Sequence, residues 1–132
     1  MDTLLVPISP GELLDKITIL RIKSARLRDA AKLANVQREL SLLEQTRHRM
    51  LPVDPWLSAD EAELERVNAA LWDIEDRIRE HEAQQRFDAG FIELARAVYI
   101  CNDERAAIKH RINRNLNSAI IEEKSYQPYR KP

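Results

Sequence analysis

Apolar residues recur at every third or fourth position along most of this chain, and this spacing limits the fold more than any other feature. Because each residue turns a helix by about 100°, such positions come to lie on one face. The chain has only two glycines in 132 residues, whereas β-rich domains use more glycine in turns and more aromatic residues. The sequence therefore predicts an all-α fold, and its length favours a single domain over residues 1–132.

Four helices are predicted from this periodicity and from helix-capping signals. Ser9 with Glu12 forms a capping box at the start of the first helix, and Ser58 with Glu61 forms another at the start of the third. The predicted elements are helices over about residues 10–28, 32–50, 59–85 and 89–117, and a tail over 118–132. This arrangement is typical of a four-helix bundle, or of two packed antiparallel helical hairpins with an irregular C-terminal tail.

The first two helical patterns are not separated by glycine or proline, so one long helix is an alternative to a hairpin. In one continuous helix, the second apolar stripe would be rotated by more than a quarter turn from the first. A reversal near Asp29–Lys32 brings the two stripes back to the same side. We therefore expect an antiparallel hairpin.

Polar residues interrupt the apolar stripe of the fourth helix, where Asn102, Arg105 and Lys109 fall within the inward-facing arc. Burying an unpaired charge is costly, so inward-facing Arg and Lys need a partner, water or a bound anion. Further arginines fall on the apolar faces of the first two helices. The resulting candidate anion pocket consists of Asn102, Arg105, Lys109, Arg21, Arg28 and Arg47.

Two interpretations of these inward-facing cations remain open. In the first, their long side chains reach the surface and pair with glutamates such as Glu44, Glu75 or Glu82. In the second, several of them converge on a phosphate or carboxylate, which arginine holds through its planar fork of donors.

The composition disfavours several other classes of function. The formal net charge is −1, so no overall positive field attracts nucleic acid or an anionic membrane. The apolar runs are too short for a membrane span, and the first residues lack the pattern of a signal peptide. The single cysteine, Cys101, fits a reducing compartment. We expect a cytoplasmic protein without a nucleic-acid or membrane partner.

No metal or cofactor site is predicted. His48, His81 and His110 lack the spacing of metal ligands, and no glycine-rich phosphate loop occurs in the sequence. Glu12 and Asp15 lie one helical turn apart, a spacing that can hold Mg²⁺ on a nucleotide. Charged helix faces produce such carboxylate pairs often, so we expect no metal there.

Some apolar residues face away from the predicted core. Ile19 and Ile22 lie away from the inward stripe of the first helix, and Trp72 lies almost opposite that of the third. A helix with two apolar faces in a small bundle usually has a second partner. The sequence therefore predicts a homodimer interface at these three residues, and the alternative is that the C-terminal tail covers them.

Four segments of the chain carry a family resemblance. They are Ser9–Lys23 (SPGELLDKITILRIK), Leu71–Arg79 (LWDIEDRIR), Asn102–Lys109 (NDERAAIK) and Ile120–Tyr126 (IIEEKSY). Together they resemble a family of small bacterial proteins of unknown function. The resemblance implies an all-helical single domain and, through neighbouring genes, a link to surface-polysaccharide assembly. It implies no catalytic residue.

Two functions follow as alternatives. The first is a dimeric cytoplasmic module that interacts with, or regulates, a protein partner. The second is a small helical enzyme or sensor that binds an anionic metabolite among its inward-facing cations. The sequence leaves open whether the protein is an enzyme.

Overall fold

The structure, a computed structural model, describes residues 1–130 and contains four helices. They are α1 (Pro10–Arg26), α2 (Ala30–Met50), α3 (Pro55–Ala83) and α4 (Ala89–Asn115). No strand occurs within residues 1–130. The predicted all-α fold with four helices is therefore confirmed, and the last two residues of the predicted tail lie outside the described residues.

α1 is the central helix, because it packs against each of the other three. Ser9 caps it by accepting a hydrogen bond from the Glu12 N–H at 3.2 Å, as its capping box predicts. Its buried residues cover more than half of its circumference. Leu13 lies on one side of this buried arc, and Asp15 and Ile22 lie on the other. A helix enclosed on so many sides buries polar residues together with apolar ones.

α2 is the most exposed of the helices. Its backbone comes close to that of α1 but not to those of α3 and α4 within residues 1–130, and Val36 is its one buried residue. The connection from α1 is short, and Asp29 caps α2 by accepting from the Lys32 N–H at 2.9 Å. The reversal predicted at this point is confirmed, and the first two helices form a hairpin.

α3 begins earlier than the sequence predicts, and the prediction of a capping box at Ser58 and Glu61 is wrong. Asp54 is the N-cap, where its carboxylate accepts from the Trp56 N–H at 3.3 Å, and Pro55 takes the first helical position. Asp followed by Pro is the stronger start signal, because the fixed φ of proline already suits the first turn. Glu61 is therefore available for a buried ion pair.

Three helices end two residues before their predicted ends, and the backbone gives the reason. Gln85 after α3 and Asn117 after α4 both have a φ of 52°, in the left-handed region where helices end. Leu27 after α1 is extended, with φ of −73° and ψ of 142°.

The core lies where α1, α3 and α4 meet. Its buried apolar members are Leu13, Leu14, Ile17, Leu57, Leu64, Val67, Ile108 and Ile112. Within residues 1–130, no helix combines the length and the apolar character needed to cross a membrane.

The C-terminal tail, residues 118–130, is irregular, as predicted, and it runs back along α4. Glu122 lies against Lys109, and the ring of Tyr129 lies 4.8 Å from that of Tyr99, measured between centroids. Because the later tail residue meets the earlier α4 residue, the tail is antiparallel to α4. Apart from Ser118 and Glu122, the tail residues are exposed.

Candidate functional site

Arg105 of α4 binds Asp15 of α1 through two hydrogen bonds. Arg105 Nε donates to Asp15 Oδ1 at 2.8 Å, and Nη2 donates to the other carboxylate oxygen. The Asp15 side chain is only 2% exposed, and Asn68 also donates to it at 2.9 Å. Burial raises the pKa of Asp15, but the hydrogen bonds from Arg105 and Asn68 outweigh it and hold that pKa below its ordinary value.

Lys109 lies one turn further along α4 and joins three segments of the chain. Its Nζ lies 2.7 Å from Glu12 Oε2 in α1, 3.2 Å from Glu122 Oε2 in the tail and 3.8 Å from Asp15 Oδ2. Burial lowers the pKa of Lys109, but its hydrogen bond to Glu12 and the neighbouring carboxylates raise it overall. Lys109 is therefore charged, and its Nζ is bound to carboxylates of both α1 and the tail.

We call this set the α1–α4 ion cluster; its members are Glu12, Asp15, Arg105, Lys109 and Glu122. Three carboxylates face two cations, so the cluster carries no excess positive charge. Charge-assisted hydrogen bonds of this kind fix two helices in register. The cluster offers an incoming anion no cation that is not already bound to a carboxylate.

A second cluster surrounds Glu61 of α3. Arg21 Nη1 donates to Glu61 Oε1 at 3.2 Å, and Arg47 donates to its other carboxylate oxygen. Arg21 also donates to Glu44 of α2 at 3.1 Å. The Glu61 side chain is only 9% exposed, so this carboxylate joins α1, α2 and α3 from a largely buried position.

The structure divides the candidate anion pocket into separate places. Arg105 and Lys109 share one cluster, Arg21 and Arg47 share the other, and the two clusters have no residue in common. Arg28 is exposed after the end of α1, because the helix stops two residues before it.

The predicted interface residues also differ in their surroundings. Ile22 is only 7% exposed within the single chain, so the second face of α1 is covered by the chain itself. Ile19 and Trp72 are half-buried, and the Arg26 guanidinium lies 5.8 Å from the Trp72 ring centroid. The tail, which was the predicted alternative cover, lies along α4.

A groove of about 940 Å³ lies between α4 and the C-terminal tail; we call it the α4–tail groove. Tyr99, Tyr126 and Tyr129 line it, together with Asn102. Tyr126 is 73% exposed. Tyrosine combines a large apolar surface with a polar hydroxyl, and it is enriched where proteins bind one another.

The two walls of the α4–tail groove carry opposite charges. Asp103 and Glu104 stand on the α4 wall, and Lys124 and Arg130 stand on the tail wall. Arg130 lies 5.7 Å from the Tyr129 ring centroid. The groove thus combines three tyrosine side chains with charged residues of both signs, and aromatic residues are enriched in protein interfaces.

Sequence reasoning missed both Asp15 as an ion-pair partner and the groove itself. Asp15 lies about 200° from Leu13 around α1, so the helical wheel put it outside the core stripe. Ile22, on the same side, was the signal that this second face is buried. For the groove, the available signal was the alternation of tyrosine, proline and basic residues after Tyr126.

No group of metal-ligating side chains with suitable geometry occurs within residues 1–130. In comparisons with known proteins, the model of a family described as "Family of unknown function (DUF6165)" matches residues 4–132. No curated protein and no solved structure matches the chain.

Proposed function

We propose a function for this chain, which belongs to the DUF6165 family of unknown function, from its own geometry: it is a homodimeric interaction module. In this proposal two copies meet through the α4–tail groove. The observation that carries it is the pair of oppositely charged walls in a groove that three tyrosines also line.

The state of the inward-facing cations supports an interaction module over an anion sensor. Arg21, Arg47, Arg105 and Lys109 each lie within hydrogen-bond distance of at least one carboxylate. A phosphate entering either cluster would have to displace a carboxylate that is already bound, and in each cluster one of these carboxylates, Asp15 or Glu61, is buried. The anionic-metabolite hypothesis therefore has no free site among these four residues.

The charge pattern of the groove favours a second copy as the occupant. In a dimer whose two-fold axis runs along the groove, the same patch meets itself and the α4 wall of each copy faces the tail wall of the other. Glu104 of one copy would then meet Arg130 of its partner, and this contact would occur twice. A groove with one acidic and one basic wall is complementary to itself under this symmetry.

The test is a pair of charge reversals read by sedimentation velocity over a range of protein concentrations. Glu104→Lys and Arg130→Glu are chosen because the intrachain contacts of these side chains are weak, at 3.6 Å to Arg66 and 5.7 Å to a tyrosine ring. Each variant alone turns two attractive contacts into repulsive ones. The dimer Kd should rise by about tenfold in each case.

Mixing the two single variants should restore dimerisation. When they are mixed in equal amounts, the lysine introduced into one chain meets the glutamate introduced into the other, and a mixed dimer should form with near wild-type affinity. Glu39→Lys on the exposed face of α2 is the matched control and should leave the Kd unchanged. A wild-type chain that is monomeric at every concentration, or single variants that dimerise like wild type, would contradict the proposal.

A further inference from the structure

A small cavity of about 280 Å³ lies between the second half of α4 and the first half of the tail. Its wall on α4 runs from Ala106 to Asn113, and its wall on the tail runs from Glu122 to Lys124. Ala107 and Lys124 also line the α4–tail groove, so the cavity lies beside that groove, towards the C-terminal end of α4. We call it the Asn113 cavity.

The side-chain amide of Asn113 is held in one orientation. The Gly11 backbone N–H donates to its Oδ1 at 2.7 Å. Because a backbone N–H can only donate, the atom that faces α1 is the amide oxygen and not the nitrogen. Asn113 is only 2% exposed, so its surroundings fix the amide. The other branch of the amide, Nδ2, carries two N–H donors.

These donors of Asn113 have no hydrogen-bond partner within residues 1–130, yet they are not sealed inside the protein. Among side-chain nitrogen and oxygen atoms that are sealed from solvent in the buried and half-buried residues of this range, Arg47 Nε alone lacks a hydrogen bond. Asn113 Nδ2 is therefore reached from outside, and Asn113 lines the cavity. An unpaired donor on a fixed, buried side chain is costly unless something entering the cavity accepts from it.

The charged groups around the cavity are balanced. Glu122 lies between the two lysines, with Oε2 at 3.2 Å from Lys109 Nζ and Oε1 at 2.5 Å from Lys124 Nζ. Both cations are thus already bound, and an incoming phosphate or carboxylate would have to displace Glu122 from them. Glu123 has no ion pair within residues 1–130, so its carboxylate can accept hydrogen bonds from a ligand.

From these observations we infer that the Asn113 cavity binds a small neutral polyol, a molecule with neighbouring hydroxyl groups. A hydroxyl both accepts and donates hydrogen bonds. One hydroxyl accepts from Asn113 Nδ2 and another donates to Glu123, while the His110 ring can do either. A phosphate dianion cannot donate to Glu123, and an ammonium group cannot accept from Asn113. This inference does not depend on the homodimer.

The size of the cavity sets the size of the polyol. A water molecule takes about 30 Å³ of the liquid, so a cavity of about 280 Å³ has room for a six-carbon polyol. A ligand this small forms few contacts, and we expect a Kd in the millimolar range.

The side-chain amide signals of Asn113 report binding in ¹⁵N–¹H NMR spectra of the full chain. The probes are myo-inositol and sorbitol, which are neutral six-carbon polyols, and inorganic phosphate and methylammonium at matched ionic strength. At least one polyol should move the Asn113 signals in a saturable way. Phosphate and methylammonium should leave them in place.

Two variants test whether the polyol is bound in this cavity. Ala106→Met fills the cavity from a helical position that methionine suits. Asn113→Asp keeps an oxygen for the Gly11 N–H and replaces the Nδ2 donor by an acceptor. Each should raise the polyol Kd at least tenfold, as read from the backbone amide of His110, with an unchanged circular dichroism spectrum. Glu39→Gln on the exposed face of α2 is the control and should leave that Kd unchanged.

Three results would overturn the proposal. If neither polyol gives a saturable shift, the Asn113 donors are satisfied by water alone. If phosphate or methylammonium binds as tightly as the polyols, the cavity does not select a neutral ligand. If the polyol Kd is unchanged in a correctly folded Ala106→Met, the polyol is bound elsewhere on the chain.

Discussion

Arg105 and Asp15 are 90 residues apart in sequence, and they join α4 to α1 by two hydrogen bonds in which the carboxylate is buried and the arginine is 30% exposed. The neighbouring Lys109 extends this contact to the tail through Glu122. One polar cluster therefore sets the positions of the central helix, the last helix and the tail that forms the groove. A buried ion pair of this kind is a device for register, since its attraction is largely offset by desolvation.

Removing one member of the buried pair should be costly. Arg105→Ala leaves the Asp15 carboxylate buried without its main partner, and Lys109 at 3.8 Å replaces it only in part. We expect the free energy of unfolding in urea to fall by about 3 kcal/mol. The variant Arg79→Ala breaks an exposed pair with Glu75, whose arginine side chain is 79% exposed, and should cost less than about 1 kcal/mol.

A double variant identifies the source of that loss. Asp15→Asn removes the buried charge and keeps a polar group for Asn68 to bind. In the Asp15→Asn background, Arg105→Ala should cost clearly less than it does in the wild type. Equal losses in the two backgrounds would mean that Arg105 acts through packing and not through its charge.

Gly11 lies at a close contact between α1 and α4. A Cβ atom at this position would come within 2.6 Å of the Lys109 carbonyl oxygen and 2.9 Å of Asn113 Oδ1. Gly11→Ala should therefore lower the free energy of unfolding by about 2 kcal/mol through overpacking, even though alanine is the better helix former. Thermal or urea unfolding measures this change.

Gly90 is the matched control, because it lies in the first turn of α4. Its nearest neighbour would be Asp88 Oδ1 at 3.2 Å, on an exposed side chain that can move. Gly90→Ala should change the free energy of unfolding by no more than about 0.5 kcal/mol. If both alanine variants are equally stable, the close crossing at Gly11 does not limit the packing of α1 on α4.

Acid should release the tail from α4. The pKa of Glu122 is lowered from 4.5 to about 2, first by its hydrogen bond from Lys124 and then, against burial, by Lys109. Lys124 belongs to the tail itself, so the part of this lowering that depends on docking is the part due to Lys109. That part favours docking above the ordinary pKa of Glu122, and it is lost as the pH falls. Release is therefore expected between pH 4.5 and about 2.

The contact between the Tyr99 and Tyr129 rings reports the position of the tail by NMR. It should be strong at pH 6 and weaker near pH 2, and circular dichroism shows whether the helices persist over the same range. In Glu122→Gln the contact should already be weaker at pH 6, with little further change above pH 3. A ring contact that is identical in both proteins at every pH would contradict this role of Glu122.

The periodicity of the sequence was sufficient to predict the all-α fold with four helices, because residues three and four apart lie on the same face of a helix. It also singled out Arg105 and Lys109, since charges within an apolar stripe need a partner. It could not identify that partner, because Glu12 and Asp15 meet α4 only through the tertiary packing of α1. The start of α3 was missed where one capping signal, at Asp54, overrode another at Ser58.

The burial of α1 on several sides explains why Ile22, predicted as an interface residue, is buried within the single chain. A wheel with one apolar stripe assumes one buried face, so it assigned Ile22 to a second molecule. The central position of α1 places that side within the chain. The homodimer and the link to surface-polysaccharide assembly stay predictions.

α2 should open more readily than the rest of the protein. Its one buried residue is Val36, and its polar attachment to α3 is the pair of Arg47 with Glu61, which also binds Arg21 of α1. Glu61→Ala removes the shared carboxylate from between two arginines whose side chains are 26% and 37% exposed. We expect a loss of about 1 to 2 kcal/mol, because water can reach both guanidinium groups.

The loss of stability in Glu61→Ala should be confined to α2, and amide hydrogen exchange measures how far it extends. Amide exchange in α2 should become about tenfold faster in Glu61→Ala, while the core amides of α3 and α4 exchange with only slightly reduced protection. Glu63→Ala, two residues away on α3 and paired on the surface with Arg66, should leave α2 unchanged. Faster exchange spread evenly over all four helices would mean that α2 and the α1–α3–α4 core unfold as one unit.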